Sequence, residues 1–399
     1  MSLEKNVQKV INDVKSNKDK AVRKYTKKFD GKKIDDFLVK KKKIKKSYKY
    51  VKKDFIKSVK VSIRNVRKFA KLQYSQYKPF ETEIQDNVFV GQTVTPIQKA
   101  GLYIPGGKYP LFSSLIMMMV PAKVAGVKDI VICSPPEIDP RILVVADLIG
   151  ADKIFSIGGI QAISAMAFGT ETVPRVNKIF GPGNKYVTEA KRQLFGKVGV
   201  DKIAGPSEIL ILADKNANPK FIASDLLAQA EHDENAKPIL VTTSMKIASM
   251  TKKEIKRQLK GLSTSKIAEK SWKNNGKVIV VKNIEKAFKK INSIAPEHLE
   301  IQTRNPKKYM KNVKNYGSLF LGFFSAEVFG DYVSGTNHVL PTNGAAKYSD
   351  GLSVRDFLKI QTYQYINKNA PKEIYDAAEK MAEKEGLYAH KNAAKIRRE

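Results

Sequence analysis

The chain of 399 residues, 42% of them apolar, is long enough to bury more than one hydrophobic core, and its lone cysteine, Cys133, excludes an internal disulfide. Its formal charge of +34 raises nucleic-acid binding, but only 11 of the 73 basic residues are arginine, the side chain suited to bidentate recognition of phosphate and guanine. The excess is dispersed lysine with no zinc-finger spacing and no base-stacking motif, so a solvated surface is expected and a nucleic-acid partner is not.

The amino-terminal stretch, MSLEKNVQKVINDVKSNKDK, is charged from its first residues and has no apolar signal core, which together with the single thiol points to a cytoplasmic protein. Within residues 3 to 28, Val7, Val10, Ile11 and Val14 recur at spacings of three and four, the period of an amphipathic helix. A second helical region covers 42 to 76, where VKKKKIKKSYKYVKKD alternates lysine with apolar residues and reads as a solvated helix face. ETEIQDNVFVGQTVTPIQKAGLYIPGG then changes the texture to β-branched residues punctuated by Gly and Pro, the pattern of strands and turns. The longest apolar run, Leu111 to Val120, holds two serines and reaches about half of the roughly 20 residues of a membrane-spanning helix, so no membrane association is expected.

From 111 to 300, short apolar strands alternate with helical segments: Asp129 to Cys133, Lys153 to Ser156, Glu208 to Ala213, Ile239 to Thr243 and Val278 to Val281. That alternation predicts an α/β protein with two Rossmann-like parallel-sheet domains. The last segment, from Val354, reads as a polar helical tail too small to fold alone. The expected division is 1–102 with 206–353 as one α/β domain carrying the amino-terminal helices, 103–205 as a second that binds a nucleotide, and 354–399 as the tail.

Only four histidines occur, and each sits in a short polar motif: His232 in AQAEHDE, His298 in APEHLEIQ, His338 in GDYVSGTNHVLPT and His390 in EGLYAHKNA. Histidine titrates near neutral pH and is the commonest protein metal ligand, so such sparing use points to an enzyme with a metal. Gln229 and His232 are three apart in a helical pattern and share a face; they could hold one ion or be an ordinary solvated pair. Glu297 and His298 put a carboxylate and an imidazole side by side before a strand, a proton-transfer pair if they enter a site and a surface turn if they do not. Asp331 and His338 lie in a Gly- and Ser-punctuated loop, and His390 follows Glu385 near the carboxyl end. GPGNKYVTEAKRQ leads a glycine turn into a helix with Asn184 at its start, a natural seat for phosphate, although the G-x-G-x-x-G fingerprint is absent from the chain.

Taken together, AGLYIPGG, FGPGNKYVTEAKRQ, AGPSEILILAD, SDLLAQAEHD, APEHLEIQT, GDYVSGTNHVLPT, GLSVRDFLK and EGLYAHKNA resemble, in order and over nearly the whole chain, the histidinol dehydrogenase family. The resemblance implies one zinc per subunit, held by residues matching Gln229, His232, Asp331 and His390, and a catalytic pair matching Glu297 and His298. It implies substrate contacts at Ser207, Gln229, His232, His298, Asp331, His338, Glu385 and His390, and NAD contacts at Tyr103, Gln161 and Asn184. It further implies a homodimer in which one subunit's tail brings His390 and Glu385 into its partner's site, and four-electron oxidation of L-histidinol to L-histidine with two NAD, the last step of histidine biosynthesis. Phe323, Phe324 and Phe329 beside Asp331 make that approach unusually aromatic and leave a second reading, a paralogue that oxidises another polar alcohol, such as a sulfonated diol, with the same zinc and NAD. Glu385 and His338 argue against it.

Overall fold

A computed structural model describes residues 2–106, 109–202 and 205–398; Gly107 of the AGLYIPGG loop and Ala204 of AGPSE lie outside the described residues. Helices α1 (Leu3–Asp30), α2 (Lys41–Ser47) and α3 (Lys53–Tyr74) open the chain, followed by strands β1 (Phe80–Gln85) and β2 (Val88–Pro96). Ser2 caps the start of α1, and Gly31, at φ +67°, ends it in the left-handed conformation that glycine adopts without strain.

The first parallel sheet takes β3 (Lys99–Tyr103), α4 (Phe112–Ala125), β4 (Asp129–Ser134), α5 (Pro140–Ile149), β5 (Lys153–Ser156), α6 (Gly159–Phe168), β6 (Lys178–Phe180), α7 (Lys185–Leu194) and β7 (Gly199–Val200). Its strand order is β5-β4-β3-β6-β7, all parallel. Alternate residues serve opposite faces: Ile130 and Ile132 pack with α3, α4 and α5, whereas Val131 and Cys133 pack with α1, α6 and α7. Both faces are dry, which explains the continuous apolar runs of these strands. The amino-terminal helices thus cover the sheet of residues 99–200, although the sequence division at 102 grouped them with the other α/β unit.

The second sheet takes β8 (Glu208–Ala213), α8 (Pro219–Ala230), β9 (Lys237–Thr242), α9 (Met245–Leu259), α10 (Ser265–Asn275), β10 (Lys277–Val280), α11 (Ile284–Ile294), β11 (His298–Gln302), β12 (Ser318–Leu321) and α12 (Glu327–Tyr332). The order β10-β9-β8-β11-β12 is again parallel throughout. Two five-stranded α/β units therefore match the predicted architecture.

The tail departs in part from its helical reading. β13 (Leu358–Ile366) runs antiparallel to β2, from Leu358 opposite Pro96 to Ile366 opposite Val88, and closes a three-stranded sheet β1-β2-β13. Its side chains are nearly all exposed, so no burial rhythm marks it. Helices α13 (Lys372–Lys384) and α14 (Tyr388–Arg398) follow and pack chiefly on each other. No described helix is long and apolar enough to cross a membrane.

Candidate active site

The site grows from one face of β11. Residues two apart on a strand share a face, so His298, Glu300 and Gln302 point together toward α8 and α12, while Leu299 and Ile301 enter the apolar layer with Ile291 of α11. All three polar side chains are buried. Gln302 Nε2 donates to Asp225 Oδ2 of α8 at 2.9 Å and to Glu300 Oε2 at 2.8 Å, and Glu300 Oε1 accepts the first backbone N–H of α12, from Glu327, at 2.8 Å. Burial raises the pKa of both Asp225 and Glu300, and their proximity to each other raises Glu300 further.

The peptide of Glu208, at the start of β8, holds the Glu297–His298 pair from both sides. Its N–H donates to Glu297 Oε2 at 2.8 Å, and its carbonyl lies 3.0 Å from His298 Nδ1. A carbonyl only accepts, so Nδ1 carries the hydrogen, and in the neutral ring Nε2 holds the free lone pair. Nε2 is buried, has no hydrogen-bond partner, and stands 3.6 Å from Asp331 Oδ1, which is also buried and unpartnered. On the Nδ1 side Glu327 Oε1 is 3.5 Å and Glu297 Oε2 3.7 Å away. Gln229, oriented by this network, donates to Glu327 Oε1 at 2.7 Å.

These carboxylates set the protonation states. Burial alone would lower the His298 pKa, but Glu327, Glu297 and Asp331 outweigh it and hold it well above the ordinary imidazole value. Burial pushes Glu297 up to about 7 and Glu327 up to about 8, in each case against the pull of His298. Asp331 resists the upward push of burial because His298, His338 and His232 surround it, and it lies below its ordinary value.

Of the residues predicted from sequence, Gln229, His298 and Asp331 meet here, with Glu297 alongside. His232 follows the end of α8 with an exposed edge; crowding by protein atoms lowers its pKa, which Asp331 partly restores. His338 Nδ1 meets the Asp331 carbonyl at 2.9 Å and Nε2 meets Ser114 Oγ at 3.1 Å, so His338 braces the turn that presents Asp331. Ser207 directly precedes Glu208. His390 and Glu385 do not join the group within one chain, for both are exposed on the tail. Sequence reasoning missed Glu327, although its position four residues before Asp331 places both on one helix face; it also missed the H-x-E-x-Q alternation of β11, a sign of a polar buried face.

The donor atoms of His298, Glu327 and Asp331 lie within 4.8 Å of one another. Of these residues, His298 Nε2 and Asp331 Oδ1 are buried without partners, and nitrogen and oxygen donors in this mixture suit a divalent transition ion. Asp331 is common to this group and to the predicted ligand set.

A cavity of about 1050 Å³ lies beyond the carboxyl ends of β3, β4, β5 and β6, and Tyr103, Gln161 and Asn184, the three predicted NAD contacts, are among the residues that line it. Tyr103 accepts a hydrogen bond from the Gly159 N–H at 3.1 Å, and burial raises its phenol to about 12. Asn184 caps α7 by accepting from the N–H groups of Tyr186 and Val187 at 3.0 and 3.1 Å.

The histidinol dehydrogenase family model matches residues 1–398. The chain is 47% identical over 397 residues to a histidinol dehydrogenase of Clostridium acetobutylicum, covering 98% of this chain and 92% of that one, and 43% identical over 394 residues to one of Methanococcus maripaludis, with the same coverage. The crystal structure of histidinol dehydrogenase from Elizabethkingia anophelis superposes with a TM-score of 0.96 at 42% identity, over 100% of this chain and 92% of that one. With family, fold and a buried acid–base group in agreement, the chain is a dehydrogenase belonging to the histidinol dehydrogenase family.

Proposed function

We propose that this chain oxidises L-histidinol to L-histidine by way of L-histidinal, passing one hydride to each of two NAD molecules in turn. The observation that carries this reading is the 3.0 Å contact between His298 Nδ1 and the Glu208 carbonyl, which favours the hydrogen on Nδ1 and leaves Nε2 as the base. In the first step Nε2 takes the hydroxyl proton as the hydride leaves carbon. In the second, Glu297 and His298 take a proton from water as its oxygen adds to the aldehyde, and the hydrate gives up the second hydride. Glu297, titrating at about 7, is suited to proton transfer near neutral pH.

Zinc held by Gln229, His232, Asp331 and His390 would supply a Lewis acid that fixes the amino and imidazole nitrogens of the substrate. Glu385 would face the substrate's ammonium, and Ser207 and His338 would complete its contacts. Tyr103, Gln161 and Asn184 would bind NAD.

His390 and Glu385 would come from a second copy of the chain in a homodimer. The tail favours this: Met381, Leu387, Tyr388 and Ile396 are all exposed on α13, α14 and the turn between them, and Phe324, Phe329 and Tyr332 are exposed beside Asp331. Each surface leaves apolar area that the other could cover. A cytoplasmic location goes with this reading, supported by the buried free thiol of Cys133.

The aromatic side chains near Asp331 in sequence also favour the second reading, a paralogue acting on another polar alcohol, since Phe324 is 83% exposed in the single chain. Counting NADH against histidine with zinc-loaded protein and L-histidinol separates the two. Two NADH per histidine, abolished by chelation, is the expected result; no turnover by a folded, metal-loaded dimer would transfer the assignment to the paralogue.

A further inference from the structure

We infer that Asp30 makes the cavity of the first sheet select a dinucleotide with a free adenosine 2′-hydroxyl over one carrying a 2′-phosphate, NAD over NADP. The inference rests on the reading that this cavity binds NAD.

The chain winds outward from β3 through β4 to β5, then returns past β3 to β6 and β7. The reversal makes β3/β6 a switch point, and the loops after β3, β4, β5 and β6 part there to form the cavity, the position at which open α/β sheets bind nucleotides. Asp30 enters from outside this sheet, as the last residue of α1.

Local energetics oppose a carboxylate there. The carboxyl end of a helix already carries partial negative charge, and no cation forms an ion pair with Asp30 among the described residues. The side chain is half-buried, and its hydrogen bond comes from Gln161 Nε2 at 3.2 Å. Gln161 is itself fully buried, and its Oε1 has no donor. An acceptor oxygen without a donor and an unpaired carboxylate thus border one cavity, and both call for a ligand that donates hydrogen bonds.

An ionised carboxylate accepts and cannot donate, so it fits a ribose hydroxyl and repels a phosphate. Lys9 and Lys28 also line the cavity and would favour a phosphate, but both are exposed, and Lys28 Nζ rests 5.7 Å from the Phe29 ring centroid. Water and salt screen those two ammonium groups more than they screen Asp30.

The test compares kcat/KM for NAD and NADP, and the dissociation constants of both by calorimetry, in zinc-loaded wild type, Asp30→Asn, Asp30→Ser and Gln161→Ala. The expected result is a rise in the NADP-to-NAD ratio on the order of tenfold or more in both Asp30 variants, as a nearby like charge is removed. An unchanged ratio, or equal losses with both dinucleotides, overturns the inference while the cavity assignment stands. Undiminished NAD affinity in Gln161→Ala overturns the cavity assignment and the inference with it. Melting curves identify a variant that fails to fold, and the second Asp30 variant then decides.

Discussion

Glu327 Oε1 lies 3.5 Å from Nδ1 of His298, at the opposite ring nitrogen from Asp331, so the imidazole is held between two carboxylates. Glu327 is the largest influence raising the His298 pKa, ahead of Glu297 and Asp331, so its removal lowers that value. Glu327→Gln should therefore move the acid limb of kcat/KM to lower pH, because in the proposed mechanism the neutral ring is the base. It should also lower the maximum by about tenfold or more, since the base is weaker. A pH profile with histidinol checks both effects; an unmoved limb would show that Glu327 does not tune His298.

In its proposed role as a base Glu297 must be ionised, and its raised pKa of about 7 means that the carboxylate is lost as pH falls through that value. Oxidation of histidinal should accordingly decline below about pH 7. Glu297→Gln should remove that limb and stop the second hydride transfer while single-turnover oxidation of the alcohol continues. Loss of both steps together would deny Glu297 a role specific to water.

His298→Asn should leave folding intact and lower turnover by about 10²- to 10⁴-fold, the usual range for a removed general base. Turnover near the wild-type rate would eliminate His298 as the base.

For His390→Ala, zinc occupancy should fall. Mixing it with Gln229→Ala should restore part of the activity, because a hybrid dimer contains one site with both residues intact. Native mass spectrometry can confirm the exchange; confirmed hybrids with no recovered activity would argue against shared sites.

Gly181 occupies φ +122°, and a Cβ there would run into the carbonyl oxygen of Tyr103. Gly181→Ala should cost about 2 to 4 kcal/mol by thermal or urea unfolding, from strain and collision together. It should also raise the KM for NAD, since Tyr103 lines the proposed NAD cavity.

The sheets were legible because their strands are buried on both faces and so appear as short apolar runs: Asp129–Ser134 and Glu208–Ala213 are clear cases. β13 was not, since its exposed side chains follow no burial pattern, although Ile360, Thr362, Tyr363 and Tyr365 have the shapes strands favour. Gln229, His298 and Asp331 could be picked out by type and motif. Glu327 became visible only through α12, which turns it toward His298. The proposed role of His390 is not readable from one chain, because nothing in that chain's fold brings it to Gln229, His298 or Asp331.

β11 lies between β8 and β12, and its alternate residues divide between an ionisable layer and an apolar one. A slip of one residue against β8 would exchange the layers, sending His298 and Glu300 into hydrocarbon and Leu299 and Ile301 against Gln229 and Glu327. Pairing errors at this strand would therefore produce not a weakened catalyst but a chain unable to close its second core. The buried polar residues of β11 thereby also specify its register, and folding yield should respond to apolar substitutions at Glu300 and Gln302 even where the substrate never reaches.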